Sequence, residues 1–168
     1  LVKNDDFKKE SFKKVHIIQG FLSSVPERTV RIRVVEDKGF ITVKGIGNNE
    51  GVTRFEWEKG ISLNDAKDLL NISEPGVISK TRYYVRYAEQ LFEVDEFHEG
   101  NLGLIVAEIE LKHENDNIQK PDWLGEEVTG ISKYYNSSLV NTPFLIILSK
   151  IFAHAISNAF LVEILIVD

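Results

Sequence analysis

The sequence predicts an α+β fold in which about seven antiparallel strands are covered by a few helices. Five segments alternate charged and apolar side chains with the period of two that β-strands require. Short turns that contain glycine or acidic residues separate neighbouring segments, which is typical of hairpins and meanders. Ser62-Leu63-Asn64-Asp65 has the pattern of a helix cap, and the helix that follows is expected to end before Pro75.

The charged side of this alternation carries both signs. Arg31 and Arg33 lie on one face of their segment, whereas Ile32 and Val34 lie on the other. The same pattern recurs in four further segments, whose charged residues are Arg54, Glu56, Glu58, Lys80, Arg82, Arg86, Glu93, Asp95, Glu108 and Glu110. Two structures explain it: a sheet whose charges face water, or a polar tunnel that holds a polyanion and its metal ion. Alternation alone favours the first, because antiparallel sheets commonly expose one face.

The predicted elements follow one another with short connections. A short helix or loop over Asp5–Lys14 precedes a strand near His16–Leu22, and a hairpin spans Arg28–Lys44. Further strands are predicted at Val52–Glu58, Lys80–Tyr87, Gln90–Phe97 and Leu104–His113. Trp57 and Trp123 are expected to pack beneath the covering helices.

Composition limits the classes of function. At 168 residues, with 43% hydrophobic and 27% charged residues, the chain is long enough for one domain with a core. The net charge of -6 argues against a general nucleic-acid surface, since duplex binding requires clustered Lys and Arg. Because cysteine is absent, a metal would be held by carboxylates or imidazoles, which favours Mg or Mn. The sequence does not begin with a secretory signal, so we expect a cytoplasmic protein.

The segment 145–168 differs from the rest because it is almost entirely apolar, so residues 1–144 are predicted to form the folded domain. It has the pattern of an amphipathic helix that packs on the domain or on a partner. A membrane anchor is a second alternative, although Lys150 and Glu163 would each cost about 2 to 3.5 kcal/mol at the centre of a bilayer. A tail added by an altered reading frame is the third.

Several short motifs resemble those of a known family in their order and spacing. They are Gln19–Leu22, Glu27–Arg33, Thr42–Lys44, Arg54–Glu58, Lys80–Tyr83, Phe92–Asp95, Ala107–Leu111 and Lys133–Asn136. Together they resemble the CYTH family of triphosphate tunnel metalloenzymes, which includes inorganic and thiamine triphosphatases and class IV adenylate cyclases. The resemblance implies an eight-stranded antiparallel β-barrel tunnel with a charged lumen and helices over its apolar outside. Of the two structures that explain the charged alternation, the resemblance therefore favours the polar tunnel over the sheet whose charges face water.

The resemblance also implies roles for individual residues. The substrate-binding positions, which would surround the charges of a polyphosphate, are Arg31, Arg33, Lys44, Arg54, Lys80, Arg82 and Lys133. The metal-ligand positions are Asp95, Glu108 and Glu110. The catalytic positions are Glu56 and Glu58, which would hold a second ion or the attacking water. Guanidinium and ammonium groups suit phosphate oxygens, whereas carboxylates suit Mg or Mn.

The sequence departs from the family at its beginning. The family's first strand, an acidic Glu-x-Glu-x-Lys motif, would lie directly before Leu1-Val2, so residues 1–144 are expected to be a CYTH-like domain that lacks this strand. Two metal carboxylates and one phosphate-binding lysine would be missing with it. The absence of methionine agrees with a fragment. An open barrel seam would follow, unless another molecule or another segment, such as Leu161–Val167, fills it.

These observations predict a Mg- or Mn-dependent hydrolase of inorganic triphosphate or of a related triphosphate compound. A class IV adenylate cyclase, which converts ATP to cyclic AMP and pyrophosphate, and a non-catalytic polyphosphate-binding domain are the alternatives. The expected partner is a small-molecule polyphosphate or a nucleoside triphosphate. No nucleic acid or membrane is expected as a partner, and a homodimer remains open.

Overall fold

The computed structural model describes residues 1–47, 54–110 and 117–151. Its strands are β1 (Ser11–Ser23), β2 (Arg28–Val35), β3 (Lys38–Gly47), β4 (Arg54–Ile61), β5 (Ile78–Tyr87), β6 (Gln90–Phe97) and β7 (Ile105–Ile109). Its α-helices are α1 (Phe7–Glu10), α2 (Leu63–Asn71) and α3 (Asn136–Asn141), and residues 144–151 are also helical. The predicted α+β class is therefore confirmed.

The strands form one antiparallel sheet in the order β4-β3-β2-β1-β5-β6-β7. The central strand β1 pairs with β2 on one side and with β5 on the other. Within the described residues, β4 and β7 each pair with a single neighbour, so the sheet is open and the predicted closed barrel is not confirmed. The segment Leu161–Val167, one of the alternatives for filling the seam, lies outside the described residues.

Strand β1 is longer than the sequence predicts. It begins at Ser11 rather than near His16, because Lys13 and Lys14 pair with β5. A bulge between Ser11 and Lys13 interrupts the alternation there, which hides the start of the strand from a period-two pattern. The predicted β2–β3 hairpin and the β5–β6–β7 meander are confirmed.

Cross-strand pairing places the charged side chains on one face of the sheet, which we call the site face. Arg33 lies opposite Gln19, and Arg82 lies opposite Asp95. By this register the site face carries Gln19, Arg31, Arg33, Thr42, Lys44, Glu56, Glu58, Lys80, Arg82, Glu93, Asp95 and Glu108. The side chains of Lys80 and Asp95 are only 2% and 1% exposed. The centre of the site face is therefore buried and does not face open water.

Helix α2 covers the opposite, outer face of β1–β3. Ser62 caps it by accepting a hydrogen bond from a backbone N–H of the first turn at 3.0 Å, so the predicted cap is confirmed. Ala66 packs on the buried Ile32 and Val34. Gly39 permits this close approach, since a Cβ atom there would lie 2.6 Å from the Cβ of Ala66. A side chain at position 39 would displace either the helix or the hairpin.

Helix α1 and the segment around Trp123 cover the outer face of β5–β7. The ring of Trp123 is buried, with ring centroids 6.0 Å from Phe7 and 5.5 Å from Phe92. Its indole N–H donates a hydrogen bond to Glu10 at 3.0 Å. The predicted packing is thus confirmed for Trp123 but is wrong for Trp57, which is 46% exposed on the outer face of the edge strand β4.

Helix α3 closes one end of the site face. Leu139 and Val140 are buried against Phe21, Ile78 and Phe97, which share the face of the charged residues. This apolar end wall separates the charged clusters from water on that side.

The C-terminal segment is described only in part. Residues 144–151 are helical, which agrees with the helix expected from 145 onward, and residues 152–168 lie outside the described part of the chain. In the described ranges, no helix has the length and apolar character that crossing a membrane requires. The domain boundary at residue 144 stays a prediction.

Candidate functional site

The first charged cluster lies on β2, β3 and β4. Arg33 donates a hydrogen bond from Nη2 to Glu58 Oε2 at 2.7 Å, and Arg31 Nη2 lies 3.6 Å from the same oxygen. Thr42 is buried on β3, between the strand of the arginines and the strand of Glu58. Its hydroxyl donates a hydrogen bond to the same Glu58 oxygen at 2.7 Å and accepts one from Arg31 Nη2 at 3.2 Å. One carboxylate oxygen therefore holds two guanidinium groups side by side.

An ion pair between Lys44 and Glu56 extends this cluster along β3 and β4. The distance from Lys44 Nζ to Glu56 Oε2 is 2.9 Å. The Glu56 side chain is 49% exposed, so the pair itself adds little stability. Arg54 begins β4, and its side chain lies outside the described residues.

The second charged cluster lies on β5, β6 and β7, with Asp95 at its centre. Lys80 Nζ donates a hydrogen bond to Asp95 Oδ2 at 2.6 Å. Arg82 donates to both oxygens of Asp95, through Nε and Nη2, each at 2.7 Å. Such a bidentate pair fixes the plane of the guanidinium. Both carboxylate oxygens of Asp95 are therefore already bound by cationic groups.

Arg82 also reaches two further carboxylates. Its Nη1 pairs with Glu93, and its Nη2 lies 3.3 Å from Glu108. Glu93 and Glu108 lie directly opposite each other on β6 and β7, where like charges repel, so the guanidinium offsets their repulsion. Asn136 of α3 accepts a hydrogen bond from Lys80 at 3.3 Å, which joins the end wall to this cluster.

The two clusters differ in how far their carboxylates neutralise the charge of the buried arginine. Burial and the adjacent Arg33 lower the pKa of Arg31 to about 10, although Glu58 opposes this shift. The guanidinium of Arg31 still remains charged at neutral pH. Burial also acts against the charge of Arg82, but Asp95 and the glutamates of β6 and β7 outweigh it and raise the pKa of that guanidinium. Arg31 is therefore less fully neutralised than Arg82.

The central carboxylate of each cluster remains ionised. Burial alone would raise the pKa of Asp95, but Lys80 and Arg82 hold it below its usual value. Burial also acts to raise the pKa of Glu58, but the Thr42 hydroxyl and a neighbouring arginine hold it below its usual value. Both groups are hydrogen-bond acceptors at neutral pH.

Most of the predicted site residues come together in the structure. The two clusters contain Arg31, Arg33, Lys44, Glu56, Glu58, Lys80, Arg82, Asp95 and Glu108. Glu110 is exposed just beyond β7 and has no hydrogen bond or ion pair to either cluster within the described residues. Lys133 is also exposed, and its Nζ lies 4.9 Å from the ring centroid of Tyr134. The roles implied for these residues stay predictions.

The carboxylates of the second cluster have the oxygen donors that hard divalent cations prefer. In residues 1–47, 54–110 and 117–151, however, no three His, Asp or Glu groups converge as a metal site. Glu93 and Glu108 face each other and share Arg82 as a counter-charge, so a cation could join this pair through the carboxylate oxygens that Arg82 leaves free, approached from the 52% exposed Glu108. Asp95 would have to release Lys80 or Arg82 before it could bind one.

The structure adds residues that the sequence did not assign to the site. Glu93 and Thr42 share the alternation of predicted site residues, so their positions were a usable signal. Gln19 lies among the charged residues but is uncharged, and a search for charge does not find it. Asn136 ends the motif Lys133–Asn136, but its contact with Lys80 arises only through the packing of α3 and could not be read from that motif.

A cavity of about 270 Å³ lies beside the free edge of β7. Its lining includes Glu108, Glu126 and Glu127 together with apolar side chains such as Val106 and Ile109. These three carboxylates outweigh the ammonium group of Lys120, which also lines the cavity, and would repel a polyanion. The cavity is therefore a poor phosphate site, and the arginine-bearing strands are the better one.

The fold and the site together define a class of protein: one antiparallel sheet whose buried cationic groups and carboxylates can bind a polyanion with a counter-cation. The sequence model of the CYTH domain matches residues 2–142, and the chain belongs to this family. The family resemblance of its motifs is thereby confirmed.

Two relatives share the name inorganic triphosphatase. The protein from Acetivibrio thermocellus is 44% identical over 127 residues, which are 75% of this chain and 80% of that protein. The protein from Nitrosomonas europaea is 32% identical over 129 residues, 74% of this chain and 83% of that protein.

Solved structures show the same fold. The crystal structure of the inorganic triphosphatase NE1496 matches with a TM-score of 0.59 and 30% identity, over 76% of this chain and 86% of that one. A candidate adenylyl cyclase from Hippeastrum, described as having a dominant triphosphatase activity, matches with a TM-score of 0.50 over 65% of this chain and 71% of that one. At 16% identity, the second match shows the fold alone.

Proposed function

We propose that this chain hydrolyses inorganic triphosphate, or a closely related triphosphate compound, with the help of a divalent cation. The observation that carries the proposal is the site face, on which arginines are grouped on β2 and carboxylates on β6 and β7. A linear polyphosphate needs cationic groups for its oxygens and a metal ion that itself needs carboxylates. Relatives named inorganic triphosphatases, at 44% and 32% identity, support the same activity.

Arg31, Arg33 and Lys44 are proposed to bind phosphate oxygens. The two arginines share one oxygen of Glu58 as their counter-charge, so an added anion meets positive charge that is only partly balanced. Each guanidinium can donate two parallel hydrogen bonds to a phosphate. Arg54 and Lys133 remain further candidates because they occupy family motifs.

Lys80 and Arg82 are proposed to bind phosphate nearer the carboxylates. Asp95 holds both side chains in place through three short hydrogen bonds, so their positions are set before a ligand arrives. Groups that are fixed in advance do not need to reorganise when charge develops in a transition state.

Glu93 and Glu108 would hold the divalent cation, with Asp95 and Glu110 as further predicted ligands. When bound, such a cation neutralises phosphate charge and polarises the phosphoryl group. Mg or Mn is the proposed ion, because all of these side chains offer hard oxygen donors.

In the proposed reaction, water attacks the terminal phosphorus and the anhydride bond to the neighbouring phosphate breaks. Orthophosphate and pyrophosphate are released, and no protein nucleophile is needed. Glu56 and Glu58 are proposed to accept hydrogen bonds from the attacking water. Because the pKa of Glu58 is below its usual value, this carboxylate is a weak base and would orient the water more than deprotonate it.

The direct test is to incubate the chain with tripolyphosphate and, separately, with ATP, each with Mg or Mn, and to identify the products by phosphorus NMR. We expect orthophosphate and pyrophosphate from tripolyphosphate, and no turnover when EDTA is added. Cyclic AMP from ATP would instead establish the cyclase. Binding of tripolyphosphate without turnover would reduce the chain to a polyphosphate-binding domain.

We also propose a cytoplasmic setting, with neither nucleic acid nor a membrane as partner. The net charge of -6 supports the first exclusion, since phosphate backbones repel an acidic chain. Light scattering in solution would establish whether the chain is a monomer or a homodimer.

A further inference from the structure

Three N–H donors on the site face are buried without a hydrogen-bond acceptor in the described part of the chain. They are the amide Nε2 of Gln19 and the Nε atoms of Arg31 and Arg33. Buried polar groups in folded proteins are nearly always paired, so each exception needs an explanation. Gln19 is the least expected of the three, because its side chain is 1% exposed at the middle of a sheet.

The three donors are neighbours. Gln19 on β1 lies directly opposite Arg33 on β2, and Arg31 is two residues away on the same face. Both arginines are held through Nη2, which bonds to Thr42 in one case and to Glu58 in the other. Those partners belong to β3 and β4, on the side of β2 away from β1. The Nε atoms and the amide of Gln19 are therefore unpaired donors at neighbouring register positions on β1 and β2.

Every unpaired atom in this group is a donor. A guanidinium offers donors only, and the amide nitrogen of glutamine also donates. A ligand that pairs with all three must present acceptor atoms to them. A fully ionised phosphate group meets this requirement, whereas a metal cation would be repelled by the two arginines. Burial, and after it the adjacent Arg33, lowers the pKa of the Arg31 guanidinium.

We infer that Gln19 is a substrate-binding residue whose amide donates a hydrogen bond to a phosphate oxygen of the bound polyphosphate, beside the Nε donors of Arg31 and Arg33. This inference rests on the proposed function. Strand β1 lies between the arginine-bearing β2 and the strand that carries Lys80 and Arg82. Gln19 thus supplies an uncharged donor where a linear polyphosphate would cross from one cluster to the other.

The test compares two glutamines that differ in how their amides are paired. Gln90 donates from Nε2 to the carbonyl of Asn117 at 2.9 Å and accepts from the Gln119 N–H at 2.9 Å, away from the site face clusters. Gln19→Met and Gln90→Met each remove an amide while keeping an unbranched side chain of similar length. Gln19→Glu keeps the shape and replaces the donor with a carboxylate.

Affinity for tripolyphosphate is measured by calorimetry in EDTA, where no turnover is expected, and Tm is measured without ligand. Gln19→Met should bind about tenfold to a hundredfold more weakly, as expected for a lost hydrogen bond to a charged group. Its Tm should be unchanged or higher, because a buried unpaired donor is gone. Gln19→Glu should bind still more weakly. Gln90→Met should show the opposite result, with a lower Tm and unchanged affinity.

The outcomes separate this inference from the proposed function. If the wild-type chain binds tripolyphosphate and either Gln19 variant binds it equally well, the role of Gln19 is overturned and the hydrolase proposal is not affected. If affinity depends on Gln19 but the chain with Mg or Mn does not hydrolyse the ligand, the inference stands and the hydrolase proposal fails. If the wild-type chain neither binds tripolyphosphate in EDTA nor hydrolyses it with Mg or Mn, both are overturned.

Discussion

The two sides of the site face carry their charges in opposite proportions. On β2–β4, within the described side chains, the three cationic residues Arg31, Arg33 and Lys44 pair with the two carboxylates Glu56 and Glu58. On β5–β7, two cations face the three carboxylates Glu93, Asp95 and Glu108. The central strand β1 contributes the uncharged Gln19 between them. One continuous sheet therefore places an excess of cationic groups next to an excess of carboxylates.

The two sides also differ in burial. Lys80 and Asp95 are 2% and 1% exposed, whereas Glu58 is 36% exposed. Breaking a buried pair leaves a charge that water cannot solvate, whereas breaking an exposed pair costs little. The β5–β7 side should therefore affect stability most when changed, and the β2–β4 side should affect ligand binding most.

Asp95→Asn is expected to have the largest effect. Asp95 accepts three hydrogen bonds from Lys80 and Arg82, and the buried ammonium would lose its counter-charge. We expect the free energy of unfolding, measured with urea, to fall by about 3 to 5 kcal/mol. The control is Glu89→Gln, an exposed carboxylate in the β5–β6 turn, which should change it by less than about 0.5 kcal/mol. A loss below about 1 kcal/mol for Asp95→Asn would contradict the conclusion that the buried β5–β7 side affects stability more than the β2–β4 side.

Asp95→Asn also tests how the free energy of unfolding depends on pH. The pKa of Asp95 is held below its usual value, so the unfolded chain takes up the proton more readily than the folded one. The carboxylate therefore contributes stability above about pH 4, and this contribution is lost as the pH falls further. Asp95→Asn should flatten the acid side of the stability curve below about pH 4 relative to wild type. Parallel curves would show that the charge of Asp95 is not what stabilises the pair.

Glu108→Gln should reduce turnover of tripolyphosphate by about a hundredfold, comparable to the loss of a charge-stabilising catalytic group. Its Tm should change little, because the side chain is 52% exposed. Initial rates over a range of Mg concentrations measure the effect, with Glu89→Gln again as the control. Glu110→Gln in the same assay would establish whether the cation site extends past the end of β7. An unchanged rate for Glu108→Gln would remove this residue from the site.

Arg33→Ala should weaken binding of tripolyphosphate by about tenfold to a hundredfold and change kcat less, since it removes charged hydrogen bonds to phosphate. The effect should shrink at high salt. Arg28→Ala is a matched control, because Arg28 is exposed on the same strand and its register places it on the outer face. Equal losses in the two variants would indicate a general effect of net charge instead of a specific contact.

Thr42→Val should have the smallest effect. It removes the hydroxyl that donates to Glu58 and accepts from Arg31, which should cost about 1 kcal/mol of stability. The pKa of Glu58 should then rise toward its usual value, as measured by NMR titration of this carboxyl group. Thr42→Ser keeps the hydroxyl and should leave the pKa of Glu58 as in wild type, although the loss of a buried methyl group costs some stability. If the pKa of Glu58 does not move in Thr42→Val, the hydrogen bond is not what lowers it.

The sequence predicts which residues share the site face because alternation depends only on the local backbone. Arg31 and Arg33 could therefore be assigned to one face before any strand was paired, whereas placing Arg82 with them required the family resemblance. The burial of Lys80 could not be predicted in this way, because it depends on α3 and on neighbouring strands far along the chain. Gln19 was not assigned to the site for a related reason, since its unpaired amide becomes visible only when the strands are assembled.

The position of Gly39 beneath α2 has a consequence for the opposite face. Because a Cβ atom on this glycine would lie only 2.6 Å from that of Ala66, α2 packs closely against the hairpin and supports it behind Arg31 and Arg33. A closely packed support reduces the freedom that a ligand would otherwise have to remove on binding. Affinity for an anion on the front of the sheet would then depend on a residue at its back that has no side chain at all.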